Sequence, residues 1–160
     1  MAEAYSRLFS LPATGLRFFT VYGPWGRPDM AAYLFTRGIL AGEPIKVFNE
    51  GRMARDFTYI DDIVQGTIAA HDRPPGPGVH RTYNLGNHHP ERLLDFIAVI
   101  ERILGATATK QLLPMQPGDV AESYADIEAA RRDLGFEPKT AIETGLNNFV
   151  TWYKEYHGLN

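Results

Sequence analysis

The segment Gly23-Pro-Trp-Gly-Arg-Pro-Asp29 holds two glycines, two prolines, an arginine and an aspartate directly after an apolar run. A guanidinium on a proline-stiffened turn can be aimed at an anion, because its planar fork matches two oxygens of a carboxylate or phosphate. Arg27 is that candidate, and the backbone amides that follow Asp29 offer a second anion site if a helix starts there. The plainer alternative is a rigid turn carrying a solvated arginine. Arg55, at the head of RDFTYI, is a second guanidinium suited to phosphate, with Asp56 beside it as the competing ion-pair partner. Gln116-Pro-Gly-Asp119 is a turn by composition, in which Asp119 either holds a hydroxyl pair such as a ribose diol or only shapes the turn. Asp61 and Asp62 precede an apolar run and are assigned to helix capping rather than to a metal.

Other chemistries lack their residue patterns. The five histidines show no i, i+4 pair and no carboxylate at ligand spacing, so they read as surface residues rather than zinc ligands or triad members. The absence of cysteine removes thiol nucleophiles, thiolate metal sites and disulfides. Neither G-x-G-x-x-G, G-x-x-x-x-G-K-[ST] nor G-x-S-x-G occurs. The residues by themselves describe a surface for an anionic small molecule, with no catalytic residue and no metal ligand.

Short helices alternating with short strands must position these side chains, the pattern of an α/β protein with about five strands and six helices. A helix covers Ala2 to Phe9. Gly15 to Tyr22 (GLRFFTVY) predicts a strand buried on both faces, and one arriving after half a helix suggests that a preceding layer is absent. Asp29 is placed to cap a helix over Met30 to Leu40, Pro44 to Phe48 and Arg55 to Ile60 read as strands, and Asp61 is placed to cap a helix to His71. Thr82 to Leu85 is a further strand. Pro90 opens a helix whose Leu93, Ile97, Ile100 and Leu104 share a face, with Gly105 ending it. A strand near Gln111 to Leu113 and a helix over Ile127 to Leu134 follow, the latter stopped by Gly135. Thr140 and Glu143 form a capping-box pattern before a last helix with Ile142, Leu146, Phe149 and Tyr153 on one face and Gly158 at its end.

The chain has 160 residues, 44% of them hydrophobic, enough for one core. Its 16 basic and 19 acidic residues give a net charge of -3 without long runs of either sign, which excludes a nucleic-acid footprint. No apolar stretch approaches the roughly 18 residues of a membrane span, and the first residues lack a leader pattern, so the expectation is a cytoplasmic protein with no nucleic-acid or membrane partner.

Four ordered blocks, GLRFFTVYGPWGRPDMA (Gly15 to Ala31), RDFTYIDDIVQG (Arg55 to Gly66), YNLGN (Tyr83 to Asn87) and QPGDVAESYADI (Gln116 to Ile127), resemble the nucleotide-sugar epimerases of the extended short-chain dehydrogenase/reductase family. Within it they are most similar to the UDP-glucuronate 4-epimerases. The resemblance implies that residues 1–160 are the C-terminal, substrate-binding part of an extended Rossmann-type α/β epimerase. Most of the parallel dinucleotide-binding sheet then lies outside this truncated sequence, with residues 15–22 and 82–85 as two of its strands.

The resemblance also implies roles. Thr20 and Arg27 match residues that hold the carboxylate of a uronate. Asp29 and Met30 match the turn that meets the diphosphate, Lys46 and Phe48 the segment that contacts and stacks on uracil, and Arg55 the diphosphate-binding arginine. Asp119 matches the ribose-diol ligand, and Gln116 stands where related galactose epimerases carry a second phosphate-binding arginine. Phe18 matches a position near the nicotinamide.

The glycine-rich fingerprint, the Ser/Thr and the Tyr-x-x-x-Lys pair of the family match nothing here. The expectation is therefore that NAD serves the full-length family but is not held stably by this chain alone, which is inert by itself. Its expected partner is a UDP-sugar, UDP-glucuronate first, with self-association through an unpaired Gly15 to Tyr22 strand. The alternatives are a fragment of a related UDP-sugar dehydratase or decarboxylase, or a stand-alone UDP-sugar-binding or assembly module.

Overall fold

The structure is a computed structural model and describes residues 1–159. In chain order its elements are α1 (Ala2–Phe9), β1 (Ala13–Phe18), β2 (Thr20–Tyr22), α2 (Ala31–Ala41), β3 (Ile45–Val47), β4 (Ala54–Arg55), β5 (Phe57–Tyr59), α3 (Ile60–Asp72), β6 (His80–Leu85), β7 (Glu91–Arg92), α4 (Leu93–Leu104), β8 (Lys110–Leu112), β9 (Glu122–Ser123), α5 (Glu128–Leu134) and α6 (Ile142–His157). The chain is mixed α/β, with small and mainly parallel sheets: β1 with β6, β2 with β5, β3 with β8, and β4 between antiparallel β7 and parallel β9.

The run Gly15 to Tyr22, expected as one strand, changes partner at Phe19. The Phe19 amide donates to the Leu85 carbonyl at 3.3 Å, ending the β6 ladder, and the Thr20 amide donates to the Asp56 carbonyl at 3.1 Å, opening the β5 ladder. Nor is this run buried on both faces: Leu16, Phe19 and Val21 pack against a core cluster, but Phe18 is 51% exposed. Only part of the strand has neighbours to cover it, and the rest meets solvent.

Helix interiors follow the periodicity and helix starts do not. Phe96, Ile97 and Ile100 of α4 and Leu146 and Phe149 of α6 are fully buried together with α2, and a second cluster joins α3, α5 and β6 through Ile63, Leu85, Ile127 and Phe136. Each such apolar side chain contributes about 1.5–3 kcal/mol on leaving water. Gly105, Gly135 and Gly158 end their helices in the left-handed conformation, as expected.

At the starts, α2 begins after Met30 with no side-chain cap, and Asp29 is engaged elsewhere. Pro90 does not open α4, because Glu91 and Arg92 first pair with β4 and the Leu93 amide donates to the Met53 carbonyl at 2.8 Å. The Thr140/Glu143 capping box does not form. The Lys139 and Thr140 amides instead donate to the two carboxylate oxygens of buried Asp62, each at 3.1 Å, so an acidic residue expected to cap its own helix holds the lead-in to α6. Asp61 lies within the first turn of α3 rather than at its cap.

Tyr22 lies at the centre of the larger core with its hydroxyl buried and, among the described residues, without a hydrogen-bond partner. Burial first, then the nearby Tyr59, Asp62, Glu143 and Glu91, push its pKa well above the ordinary tyrosine range. A phenol whose folded pKa is raised contributes stability that is complete below its unfolded value of about 10 and is lost as pH climbs towards the folded value. The urea midpoint is therefore expected to fall steeply above about pH 10, and Tyr22→Phe to flatten that fall. Parallel pH curves for the two proteins would assign the alkaline loss to other groups.

Candidate functional site

The parallel register of β4 and β9 sets Arg55 opposite Ser123 and brings the preceding loop against the arginine. Arg55 Nη2 donates to Asp119 Oδ1 at 2.7 Å, and Nη1 donates to the carbonyls of Ala54 and Ala121 at 3.0 and 3.2 Å. The Arg55 side chain retains 17% of its exposure and that of Asp119 33%, so the pair is half-sheltered yet reachable. The expected alternative pairing of Arg55 with Asp56 is not made, because successive residues of an extended chain face opposite ways. Asp56 turns inward, fully buried, and accepts hydrogen bonds from the Asn87, His88 and Ala125 amides and from Thr58 Oγ1.

Seven of the candidates converge. Thr20, Asp29, Met30, Lys46, Phe48, Arg55 and Asp119 line one cleft of about 310 Å³, floored by the apolar side chains of Phe35, Met53, Phe57 and Leu93. The contributors come from β2, β4, the head of α2, the end of β3 and the loop between β8 and β9. An apolar floor with a few convergent charges at the rim is the usual make-up of a small-molecule site. Phe48 begins a turn in which Asn49 and Glu50 are both left-handed, which reverses the chain just beyond β3.

Phe18 and Arg27 line a second cavity of about 500 Å³, which shares Met30 with the first. Its wall is largely apolar, built from Phe18, Phe19, Val21 and Pro24, and Arg27 is its one charged group. Arg27 forks onto Asp29, Nε to Oδ1 at 3.0 Å and Nη2 to Oδ2 at 2.6 Å, which explains why Asp29 does not cap α2. The hydrogen bond from Arg27 holds the Asp29 carboxyl below the usual carboxylate range. Both side chains are exposed and water screens the pair, so an incoming carboxylate can replace Asp29 on the fork at little cost. The loop carrying the pair is anchored by Trp25, a left-handed residue whose ring packs on Trp152 and Tyr156 of α6 at 5.4 and 5.3 Å. Gln116 lies apart from both cavities with an exposed side chain, and its carbonyl accepts the Asp119 amide at 3.2 Å.

The features not anticipated are Asp56, Trp25 and the cleft floor. An acid inside the apolar run RDFTYI was the available signal for Asp56, while nothing local marks Met53 or Leu93 as floor. His88 is exposed, as expected, while its Nδ1 lies 2.7 Å from the Ala125 carbonyl on a left-handed backbone. Among the described residues no group of three or more His, Asp or Glu is placed to hold a metal, and no helix is long and apolar enough to cross a membrane.

Residues 1–86 match the model of the NAD dependent epimerase/dehydratase family. The chain is 48% identical to the CapI protein of Staphylococcus aureus, covering 98% of this chain and 52% of that protein. It is 47% identical to UDP-glucuronate 4-epimerase 4 of Arabidopsis thaliana, over 98% and 39% respectively. Its fold superposes with a TM-score of 0.89 and 36% identity on the Bacillus cereus UDP-glucuronic acid 4-epimerase solved with UDP-glucuronic acid and NAD, covering 96% of this chain and 48% of that one. The chain thus spans about half the length, or less, of the curated relatives it matches. With more than half of its residues on the family model and its cleft built on the same fold, the chain belongs to the NAD dependent epimerase/dehydratase family.

Proposed function

We propose that this chain is the substrate-binding part of an NAD-dependent UDP-glucuronate 4-epimerase, which converts UDP-glucuronate to UDP-galacturonate through a 4-keto sugar. The observation that carries this reading is the convergence of Arg55 and Asp119, 64 residues apart in sequence and 2.7 Å apart in space, on the rim of a cleft that also holds Lys46 and Phe48. A guanidinium beside a carboxylate suits a diphosphate next to a ribose diol, the one neutralising phosphate oxygens and the other accepting two hydroxyl protons. Phe48 offers a ring face to uracil and Lys46 a neighbouring backbone contact. The amides at the head of α2, beside Asp29 and Met30, face the diphosphate. Thr20 and Arg27 take the sugar carboxylate across the boundary that Met30 makes between the two cavities.

The residues present do not by themselves fit NAD. The second cavity offers an apolar wall in which Phe18 suits a nicotinamide ring, but the sequence contains no glycine-rich cradle for the cofactor's phosphates. Incubation of this chain with UDP-glucuronate and NAD is expected to yield no UDP-galacturonate.

Calorimetry tests the binding role. UDP-glucuronate is expected to bind with micromolar to millimolar affinity, about tenfold tighter than UDP-glucose, a difference of about 1.4 kcal/mol. Arg27→Ala is expected to abolish that preference while leaving UDP-glucose binding unchanged. Equal affinities in the unaltered chain would remove the carboxylate assignment, and no saturable binding of either ligand would remove the reading as a whole.

A further inference from the structure

We infer that Asp56 is a positioning residue for this binding site, holding Asp119 against Arg55 through the carboxylate it buries behind them. The inference rests on the proposed UDP-sugar site and names a residue on which that site depends. Asp56 touches no ligand surface. It is fully buried, and its two oxygens collect four donors: Asn87 N at 2.5 Å and Thr58 Oγ1 at 2.9 Å on Oδ1, with His88 N at 3.0 Å and Ala125 N at 2.8 Å on Oδ2. Its backbone is engaged as well, the amide donating to the Ser123 carbonyl at 2.9 Å and the carbonyl accepting from the Thr20 amide at 3.1 Å. One residue therefore ties together the strand bearing Thr20, the strand bearing Arg55 and the segment that follows Asp119.

That segment needs the tie. The loop bearing Asp119 enters from β8 and leaves through β9, which is two residues long and pairs with a two-residue β4. The pairing includes bonds from the Ala54 amide to the Ala121 carbonyl and from the Asp56 amide to the Ser123 carbonyl, both at 2.9 Å. So short a pairing specifies its register weakly, and a slip of two residues moves the chain by about 6–7 Å, far beyond the reach of the 2.7 Å contact between Arg55 and Asp119. The bond from the Ala125 amide to the Asp56 carboxylate locks the register from the side chain.

Two further observations indicate that the surroundings are built around this carboxylate. A Cβ on Gly86 would lie 2.9 Å from Asp56 Oδ2 and 2.5 Å from the Ala125 Cβ, so the backbone approaches as closely as glycine permits. His88 holds a left-handed backbone, unusual for a residue other than glycine, while its amide donates to Asp56 and its ring meets the Ala125 carbonyl. Such conformations persist only where the surroundings over-determine them.

Asp56→Asn keeps the shape but replaces one acceptor oxygen by an NH₂ group that faces donors. In the ligand-free chain, amide hydrogen exchange at Ala54 and Val120 is expected to speed up at least tenfold, with the Ile45 and Leu113 amides of the β3–β8 region unchanged. Leu134→Ala, a buried truncation in α5, is the control for general destabilisation and is expected to leave the Ala54 and Val120 rates each within about twofold of its own value in the unaltered chain after correction for global stability. In calorimetry with UDP-glucuronate, Asp119→Ala is expected to cost about tenfold in the unaltered chain and less than about twofold on the Asp56→Asn background, because Asp119 has already left its place. Thr58→Val, which removes one donor at constant shape, is expected to give the same pattern at smaller amplitude and serves if Asp56→Asn does not fold. Unchanged exchange at Ala54 and Val120, or additive effects of the two substitutions, would overturn the inference. Local acceleration of exchange in a chain that binds no UDP-sugar would uphold the positioning role and remove the functional reading alone.

Discussion

Arg55→Ala is expected to weaken UDP-glucuronate binding by about 10- to 100-fold while changing uridine affinity by less than about threefold. Charge-assisted hydrogen bonds are worth about 1.5–3 kcal/mol each, and the Arg55 guanidinium lines the cleft with Nη1 held by two carbonyls and Nη2 by Asp119. The discrimination between ligands carries the test. If Arg55 serves the diphosphate, a nucleoside without phosphates does not sense its loss, whereas Asp119→Ala, which removes the diol acceptor, weakens uridine and UDP-glucuronate alike. Isothermal titration of the two variants with the two ligands gives four numbers. A uridine loss in Arg55→Ala equal to the UDP-glucuronate loss would mean that the arginine acts only by holding Asp119 in place, and the diphosphate assignment would fall.

Gly145→Ala is expected to destabilise the chain by about 2 kcal/mol or more, against the usual trend for a helix interior. Gly145 lies inside α6, where alanine is ordinarily better by about 1 kcal/mol. Here its Cβ would sit 2.1 Å from the Tyr22 hydroxyl oxygen and 2.9 Å from a ring carbon of Tyr59. Tyr22 has little freedom to move, since the rings of Phe57, Tyr59 and Phe96 surround it at centroid distances of 6.4, 5.7 and 5.9 Å. Overpacking of this kind costs about 1–3 kcal/mol and more when the neighbours are rigid, which reverses the sign set by helix propensity. Urea unfolding monitored by circular dichroism measures it. A midpoint at or above that of the unaltered chain would mean that the aromatic cluster yields and that α6 does not depend on this close approach.

The cleft was legible as a set of residue types and not as a place. Lys46 and Phe48 stand in none of the contiguous motifs, whereas Arg55 and Asp119 are carried by RDFTYIDDIVQG and QPGDVAESYADI. Their convergence depends on a two-residue parallel pairing of β4 with β9, which has no local signature. Arg27 illustrates the opposite case. Its turn is evident in the sequence, but Asp29 reads there as a helix start, since propensity does not weigh the side chain two residues away that competes for the cap. Asp56 and Asp62 are the clearest failures of local reasoning. Their sequence neighbours suggest local roles, whereas burial obliges each to satisfy amides 31 to 78 residues distant.

The sequence by itself determined the α/β class, the apolar stripes of α4 and α6, the glycine helix ends, and the guanidinium and carboxylate groups whose chemistry suits an anionic small molecule. Periodicity, backbone conformational freedom and functional-group chemistry act over a few residues and can be read there. The tertiary structure decided the change of strand partner at Phe19, the pairing of Arg55 with Asp119 and the burial of Asp56 behind them. These outcomes turn on which backbone amides lack partners once the elements pack, and a buried carboxylate is drawn to those amides wherever they lie in the chain.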